Sequence, residues 1–408
     1  MWGSDPTCAP ARRLRRGLLG LSLAALVALP LAGEAAAAPG SSGSSGSTGS
    51  TGSSEDSGSA GSLGSASNAG SAATAGSSTG SGENGGSVSA GSVIPGPLQN
   101  ERPPLPPLRD DITVAAIVGE EQKTEQMVRF TVASPALRRE VGVEVLLPKD
   151  NSVPRPSIYA LEGVDAGEDT SGWATIGGAP AFFADKNVNV VMINGGVSGL
   201  YTDWDRVDSG VGLHKWETFI TEELPPLLDT RLHTNGDKSL LGISMGSQGA
   251  MMLAHRNPGM YRGIAVFSGC YSTTDDLGRA SVQATVSSRG GDPGNLWGEV
   301  GGPEWAAHDT VRNAEQLRGM DIYVSVSTGI PGKYEELGSP DFVDRVFIGG
   351  PMEAVANACT HRLDAQLDKL KIPATFDYEA VGIHGWSYWR DRLPKAWPTL
   401  ARSLDLPA

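Results

Sequence analysis

Five consecutive residues hold the strongest chemical signal in the chain: Gly242-Ile243-Ser244-Met245-Gly246. The short apolar run Ser239-Leu240-Leu241 precedes them, and a helix-like stretch, Ser247 to Arg256, follows, with apolar positions at Ala250, Met251, Leu253 and Ala254. A serine at a tight strand-to-helix turn has its hydroxyl lifted above the sheet edge, and the glycines on either side leave room for the bend. The same turn aims the backbone N–H of Met245 at the space the hydroxyl enters. A second G-x-S-x-G, Gly76-Ser77-Ser78-Thr79-Gly80, lies in a low-complexity tract with no strand before it and no helix after it. It lacks the setting the chemistry requires.

A serine needs a base to become nucleophilic near neutral pH, and the base needs an orienting carboxylate. In the strand-turn-helix setting the chain order is Ser, then acid, then His. Of six histidines, His308, His361 and His384 follow Ser244 far enough on to leave room for an acid. His384 sits in the loop Val381-Gly382-Ile383-His384-Gly385-Trp386, between a strand and the last helix, and is the expected base. His361 is expected mid-helix in a packing or surface role, and His308 at the end of a long loop. Five acids follow the strand at 322–326: Glu335, Glu336, Asp341, Asp344 and Glu353. Position alone does not choose among them. The second oxyanion donor is expected from the turn after an earlier strand, where Glu162-Gly163-Val164-Asp165 offers the N–H of Val164.

These groups need a scaffold. Apolar, β-branched runs recur at 112–118, 127–132, 141–147, 157–161, 188–193, 240–243, 264–267, 322–326 and 374–378. Helix-like stretches lie at 180–184, 216–228, 247–256, 311–316, 352–370 and 389–404. Early strands without helices, then strand and helix in alternation, predict a mostly parallel central sheet with helices on both faces. Together with the strand, G-x-S-x-G, helix arrangement at Ser244, the expected fold is that of the α/β-hydrolases. The Gly-rich connection 271–307 is expected to be a long irregular loop forming part of a lid or cleft wall over Ser244.

The remaining length divides by composition. A basic cluster, Arg12 to Arg16, precedes an apolar run and then Ala35 to Ala38, which reads as a secretory signal peptide over residues 1–38. Arg15-Arg16-Gly17-Leu18-Leu19 loosely resembles a twin-arginine signal, and a retained anchor is the alternative. Ser, Gly, Ala and Thr dominate residues 40–96, and proline takes over from Pro95 to Pro107. Residues 39–108 are therefore expected to form a flexible, then stiffer, linker. One domain of catalytic size is expected over 109–408. The presumed signal carries four arginines against Asp5 and Glu34, so its removal takes the formal charge from −14 to −16. That balance argues against nucleic acid and against an anionic lipid surface as partners. With Cys8 gone, Cys270 and Cys359 remain, an even number that suits a disulfide in an exported domain, with two unpaired buried thiols as the alternative. No C-x-x-C or His/Cys cluster points to a metal, and no cofactor is expected.

Several segments in one order carry a further signal: Leu161-Glu162-Gly163, Ser171-Gly172-Trp173, Leu200-Tyr201-Thr202-Asp203-Trp204, Lys215-Trp216-Glu217-Thr218-Phe219, Gly242 to Gly246, Leu296-Trp297-Gly298, and His384-Gly385-Trp386-Ser387-Tyr388-Trp389. With them, residues 114–400 resemble the antigen 85 mycolyltransferases and their corynebacterial relatives. The resemblance implies Ser244 as nucleophile, His384 as base and Glu353 as acid. It also implies Val164 and Met245 as oxyanion amides. The implied chemistry is transfer of a mycolyl group from trehalose monomycolate to a second trehalose monomycolate or to arabinogalactan, by a monomeric enzyme of the cell envelope. Substrate contacts are expected at Glu162, Asp165 and Trp386, with Tyr388 and Trp389 as further candidates for an apolar wall. Glu162 stands where the family has Asp, Asp165 where it has Arg, and Gly385 where it has Ser; an expected Asn has no counterpart in 174–179. A secreted carboxylesterase with the same triad is the main competing expectation, and a non-catalytic surface adhesin on the same scaffold is the other.

Overall fold

The computed structural model describes residues 105–339 and 341–408. The expected signal peptide and nearly all of the expected linker lie outside these residues. Within them, nine strands form one sheet in the order β1-β2-β3-β5-β4-β6-β7-β8-β9. The strands are β1 (Ala116–Thr124), β2 (Met127–Ser134), β3 (Arg139–Leu146), β4 (Ser157–Leu161), β5 (Asn189–Ile193), β6 (Lys238–Ile243), β7 (Gly263–Phe267), β8 (Asp321–Ser327) and β9 (Thr375–Glu379). The first three join as antiparallel neighbours and β3 pairs antiparallel with β5; every pairing from β5 through β4 to β9 is parallel. Each apolar run of the sequence becomes a strand. The first starts four residues later than its composition suggests, because Arg109 N–H bonds Arg138 carbonyl and Ile112 is tucked in as part of the entry turn.

The helices are α1 (Gly172–Thr175), α2 (Ala179–Phe183), α3 (Trp216–Thr218) running through a π turn into α4 (Leu224–Leu232), α5 (Met245–Arg256), α6 (Asp276–Ser287), α7 (Pro303–Ala307), the short α8 (Phe342–Asp344), α9 (Gly350–Leu370) and α10 (Trp386–Ser403). Strand periodicity sorts their contacts. In β4, Tyr159 and Leu161 join a core with Phe219, Leu224, Met251 and Leu363; Ile158 and Ala160 face the other way, into a core with Phe183, Trp389, Leu393 and Leu400. Successive side chains point to opposite faces, so a strand covered on both sides reads as a continuous apolar run. The sheet is thus covered by α3–α5 and α9 on one face and by α2 and α10 on the other.

Two expectations need correction. Residues 271–307 are not an irregular loop: they contain the twelve-residue α6, whose N-cap Asp275 accepts from Gly278 N–H, followed by a 3-10 turn and α7. Six glycines in its C-terminal half, at 290, 291, 294, 298, 301 and 302, made the whole span look like coil. At 311–316 the expected helix is only a 3-10 turn, Ala314–Leu317.

Candidate active site

At the end of β6 the chain turns through Ser244 with φ 53° and ψ −122°, outside the regions open to most L-residues. Two glycines make this turn possible. A Cβ on Gly242 would lie 2.4 Å from the Gly246 carbonyl oxygen, and one on Gly246 would lie 2.4 Å from the Glu162 carbonyl oxygen. The first contact lets the turn close on itself, and the second lets it sit against the end of β4. Ser247 locks the arrangement from behind, its hydroxyl reaching the carbonyls of Gly242 (2.9 Å) and Phe267 (2.6 Å). Strain of this kind persists only when the surroundings over-determine it.

The rigid turn presents Ser244 Oγ 2.7 Å from His384 Nε2, and His384 Nδ1 lies 3.0 Å from Glu353 Oε2. His384 arrives on the loop ahead of α10, held by its backbone N–H on the Gly349 carbonyl and by its ring standing perpendicular to Trp389 at 5.0 Å. Glu353 sits in the first turn of α9 and is completely buried. Of the five candidate acids it is the one that reaches the histidine; Glu335 instead takes Arg345 at 2.6 Å and the Tyr388 hydroxyl. The other carboxylate oxygen, Oε1, accepts from Ser268 Oγ (2.8 Å) and from the Ser327 backbone N–H (2.7 Å). Ser268 in turn accepts from Trp389 Nε1 at 3.0 Å. A buried carboxylate so supplied with donors has its lone pairs satisfied and its orientation fixed, leaving Oε2 for the imidazole.

Neither Val164 N–H nor Met245 N–H donates to an acceptor among the described residues. Met245 opens α5, where the first amides have no helical partner. Val164 is held by its carbonyl, which accepts from Ser198 N–H at 3.1 Å. A hydroxyl, an imidazole, a buried carboxylate and two free amides, one after β4 and one after β6, can open and close an ester or amide bond.

Beside Ser244 lies a cavity of about 60 Å³, walled by Ser281, Ala284 and Thr285 of α6 and by Met352 and Val355 of α9. The segment 271–307 does reach the cleft, as the helix α6. The three expected substrate contacts do not line this cavity. Glu162 is 5% exposed, and its Oε1 takes the Ser171 hydroxyl and Gly172 N–H (2.7 Å). Burial pushes its carboxyl up to about 7. Asp165 makes a two-pronged pair with Arg289 at 2.5 and 2.7 Å. Trp386 packs edge-on against Trp173 (5.3 Å) and Trp389 (5.5 Å). Tyr388 and Trp389 are core residues rather than an exposed wall. Of the rejected histidines, His308 is stacked 4.1 Å from Trp297 and His361 4.4 Å from Tyr378. Burial lowers His308 to about 3, which keeps it neutral.

Sequence reasoning missed Ser268 and Ser327 altogether. Single serines after strands carry no pattern, and only folding brings both strand ends to one carboxylate. Cys270 and Cys359 form the expected disulfide, with Cα atoms 4.9 Å apart, tying the segment after Ser268 to the helix that carries Glu353. Among the described residues there is no His/Cys/Asp/Glu group able to hold a metal ion, and no helix is long and apolar enough to cross a membrane.

Comparison with known proteins agrees with this architecture. The chain is 29% identical over 278 residues to the diacylglycerol acyltransferase/mycolyltransferase Ag85A of Mycobacterium tuberculosis, covering 67% of this chain and 80% of the relative. It is 27% identical over 288 residues to the Ag85B protein of Mycobacterium leprae, covering 67% and 83%. The crystal structure of Mycobacterium tuberculosis MPT51 (FbpC1) superposes with a TM-score of 0.56 at 26% identity, over 66% of this chain and 96% of that one. A Staphylococcus aureus fluorophosphonate-binding serine hydrolase, FphF, shares the fold at a TM-score of 0.52 and 14% identity, over 67% and 98%. The family model described as "Putative esterase" matches residues 134–400. That match spans well over half the chain, and the chain therefore belongs to this esterase family of α/β-hydrolases, with the antigen 85 proteins among its relatives.

Proposed function

We propose that the protein is a secreted serine acyltransferase that moves a mycolyl group from trehalose monomycolate to a second trehalose monomycolate or to arabinogalactan. The observation that carries the reading is the continuous chain Ser244 Oγ, His384, Glu353, at 2.7 and 3.0 Å, with the acid fully buried. What directs it toward acyl transfer is the likeness to relatives named as diacylglycerol acyltransferase/mycolyltransferases; the sugar donor and acceptor are what the antigen 85 resemblance implies.

In the proposed cycle, Ser244 Oγ attacks the carbonyl carbon of the donor ester while its proton passes to His384 Nε2. Glu353, bonded to Nδ1, stabilises the imidazolium. The carbonyl oxygen becomes an oxyanion between the amides of Val164 and Met245. Losing one such donor costs on the order of 3 kcal/mol of transition-state stabilisation. The bond from carbonyl carbon to sugar oxygen breaks, and that oxygen leaves with the proton from His384. An acceptor hydroxyl then gives its proton to His384 and attacks the acyl-Ser244 ester; the carbonyl carbon–Oγ bond breaks and Oγ leaves with that proton from His384. The cavity between α6 and α9 has room for only the first few atoms of the acyl group. Most of a long chain must therefore lie outside it.

A secreted carboxylesterase, with water as acceptor, is the second reading. It draws on Asp165, which is paired with Arg289 and stands where the family has a basic residue. Intact-protein mass spectrometry after mixing the protein with trehalose monomycolate, with and without trehalose, separates the two. A mycolate-sized adduct on the wild type, absent from Ser244→Ala and discharged by sugar into a glycolipid, is the expected result. Free mycolic acid with no sugar product would instead mean an esterase. Turnover by Ser244→Ala at the wild-type rate would end the triad mechanism.

A further inference from the structure

Arg392, which no sequence motif singles out, lies directly behind the acid. It is 3% exposed, in the middle of α10. Its Nη2 donates to the Ser327 hydroxyl, while Nε and Nη1 find no acceptor among the described residues. The carboxylate oxygen nearest to it is Glu353 Oε1, 4.0 Å from Nη1. Trp389 and Arg392 are three residues apart on α10, so they share a face of the helix. Trp389 reaches Glu353 through Ser268, and Arg392 stands beside it and beside Ser327. α10 thus supplies both a neutral relay and a charge to the same buried carboxylate.

A buried guanidinium without full hydrogen bonding is costly unless a counter-charge repays it. A completely buried carboxylate faces the same penalty from the other side. The neighbours of Glu353 are His384 on the loop before α10, Arg392 on α10, Ser268 and the Tyr271 phenol after β7, and Ser327 at the end of β8. The Tyr323 phenol on β8 lies within electrostatic reach of Arg392. Burial pushes both phenols upward, so they stay uncharged through the neutral range. Arg392 is the one permanent positive charge in the set.

We infer that Arg392 is a positioning residue for the reaction: its charge holds Glu353 as a carboxylate, in the orientation that leaves Oε2 on His384. This rests on the triad reading above, since only an ionised Glu353 can stabilise the imidazolium. Without Arg392 the carboxylate loses the one permanent opposite charge beside it, and an opposite charge favours the ionised form that supports the base. The loss is therefore largest at low pH and is recovered as pH rises.

The test is the rate of Ser244 labelling by a fluorophosphonate, together with hydrolysis of a p-nitrophenyl ester, between about pH 5 and pH 9, for the full chain and its Arg392→Gln, Arg392→Lys and Ser244→Ala variants. For Arg392→Gln the acid limb of both profiles is expected to move up by about one pH unit. That means a rate down about tenfold near pH 6 and within about threefold of wild type near pH 9. Arg392→Lys keeps the charge and is expected to keep the wild-type limb, even if its maximum is lower. A folded Arg392→Gln protein that loses the same factor at every pH, or none, would overturn the inference, because packing alone gives a pH-independent effect. If Arg392→Gln does not fold, a shifted acid limb in Arg392→Lys would overturn it in the same way. Labelling of Ser244→Ala at the wild-type rate would instead sink the underlying site reading, a result distinguishable from both.

Discussion

Ser268→Ala is the most informative single change, because one hydroxyl serves two buried groups. Ser268 is 2% exposed and donates to Glu353 Oε1 at 2.8 Å while accepting from Trp389 Nε1 at 3.0 Å. Alanine keeps the Cβ, so the positive φ of 58° at this position is common to both proteins and cancels from the comparison. A hydrogen bond to a charged group contributes about 1.5–3 kcal/mol, and an orphaned buried donor such as the indole N–H costs about 1–3 kcal/mol. The two terms overlap through local relaxation, so a destabilisation of about 2–5 kcal/mol is expected in urea unfolding at neutral pH. The effect on rate is smaller. Ser327 N–H still holds Oε1 at 2.7 Å, so the acid swivels rather than departs. We expect kcat/KM on a p-nitrophenyl ester to fall about 10–30-fold, which corresponds to about 1.4–2 kcal/mol. Unfolding within about 0.5 kcal/mol of wild type, with kcat/KM unchanged, would refute the claim that this hydroxyl organises the acid.

Glu162 predicts a pH effect on stability. Its ordinary value of 4.5 is raised to about 7 by burial, so the unfolded chain releases this proton before the folded one does. Stability contributed by the protonated form is complete below about pH 4.5 and is lost as pH rises to about 7, by roughly 3 kcal/mol. Glu162→Gln, whose amide oxygen can still accept from Ser171 and Gly172, is expected to remove that decline from urea unfolding between pH 5 and 7.5; an unchanged slope would count against it. Cys270→Ala/Cys359→Ala tests the tether on α9. The bridged residues are 89 apart, for which chain entropy gives about 3–5 kcal/mol. Unfolding of the variant should match that of reduced wild type, and a difference from oxidised wild type below about 1 kcal/mol would show that the bridge adds nothing.

How much of this could be read from the residues depends on range. The elbow at Ser244 was legible because its requirement is local. A tight strand-to-helix turn needs small residues two positions either side, and the structure gives Gly242 and Gly246 no room for a Cβ. His384 was legible from order and from its glycine-flanked loop. The strands were legible because a sheet covered on both faces favours unbroken apolar runs, as in 158–161 and 240–243, within strands that are buried throughout. Glycine misled at 271–307, where six glycines between positions 290 and 302 hid a capped helix that forms one wall of the cleft.

The acid was different. Glu335, Glu336, Asp341, Asp344 and Glu353 are alike as residues, and only the resemblance pointed to Glu353. What separates them is where α9 packs on β8, because that packing faces one buried carboxylate to the imidazole, whereas Glu335, whose side chain is equally buried, is turned to Arg345. The same holds for Ser268, Ser327 and Arg392, which come from the ends of two strands and the middle of the last helix. Their sequence separations from Glu353 run from 26 to 85 residues. Hydrogen bonds and buried charge act over a few ångströms, and no local pattern records which distant segments the sheet order brings within that reach. The residues by themselves determined the nucleophile, its base and the covered sheet that holds them; the tertiary structure decided which carboxylate is buried beside the base and what keeps it there.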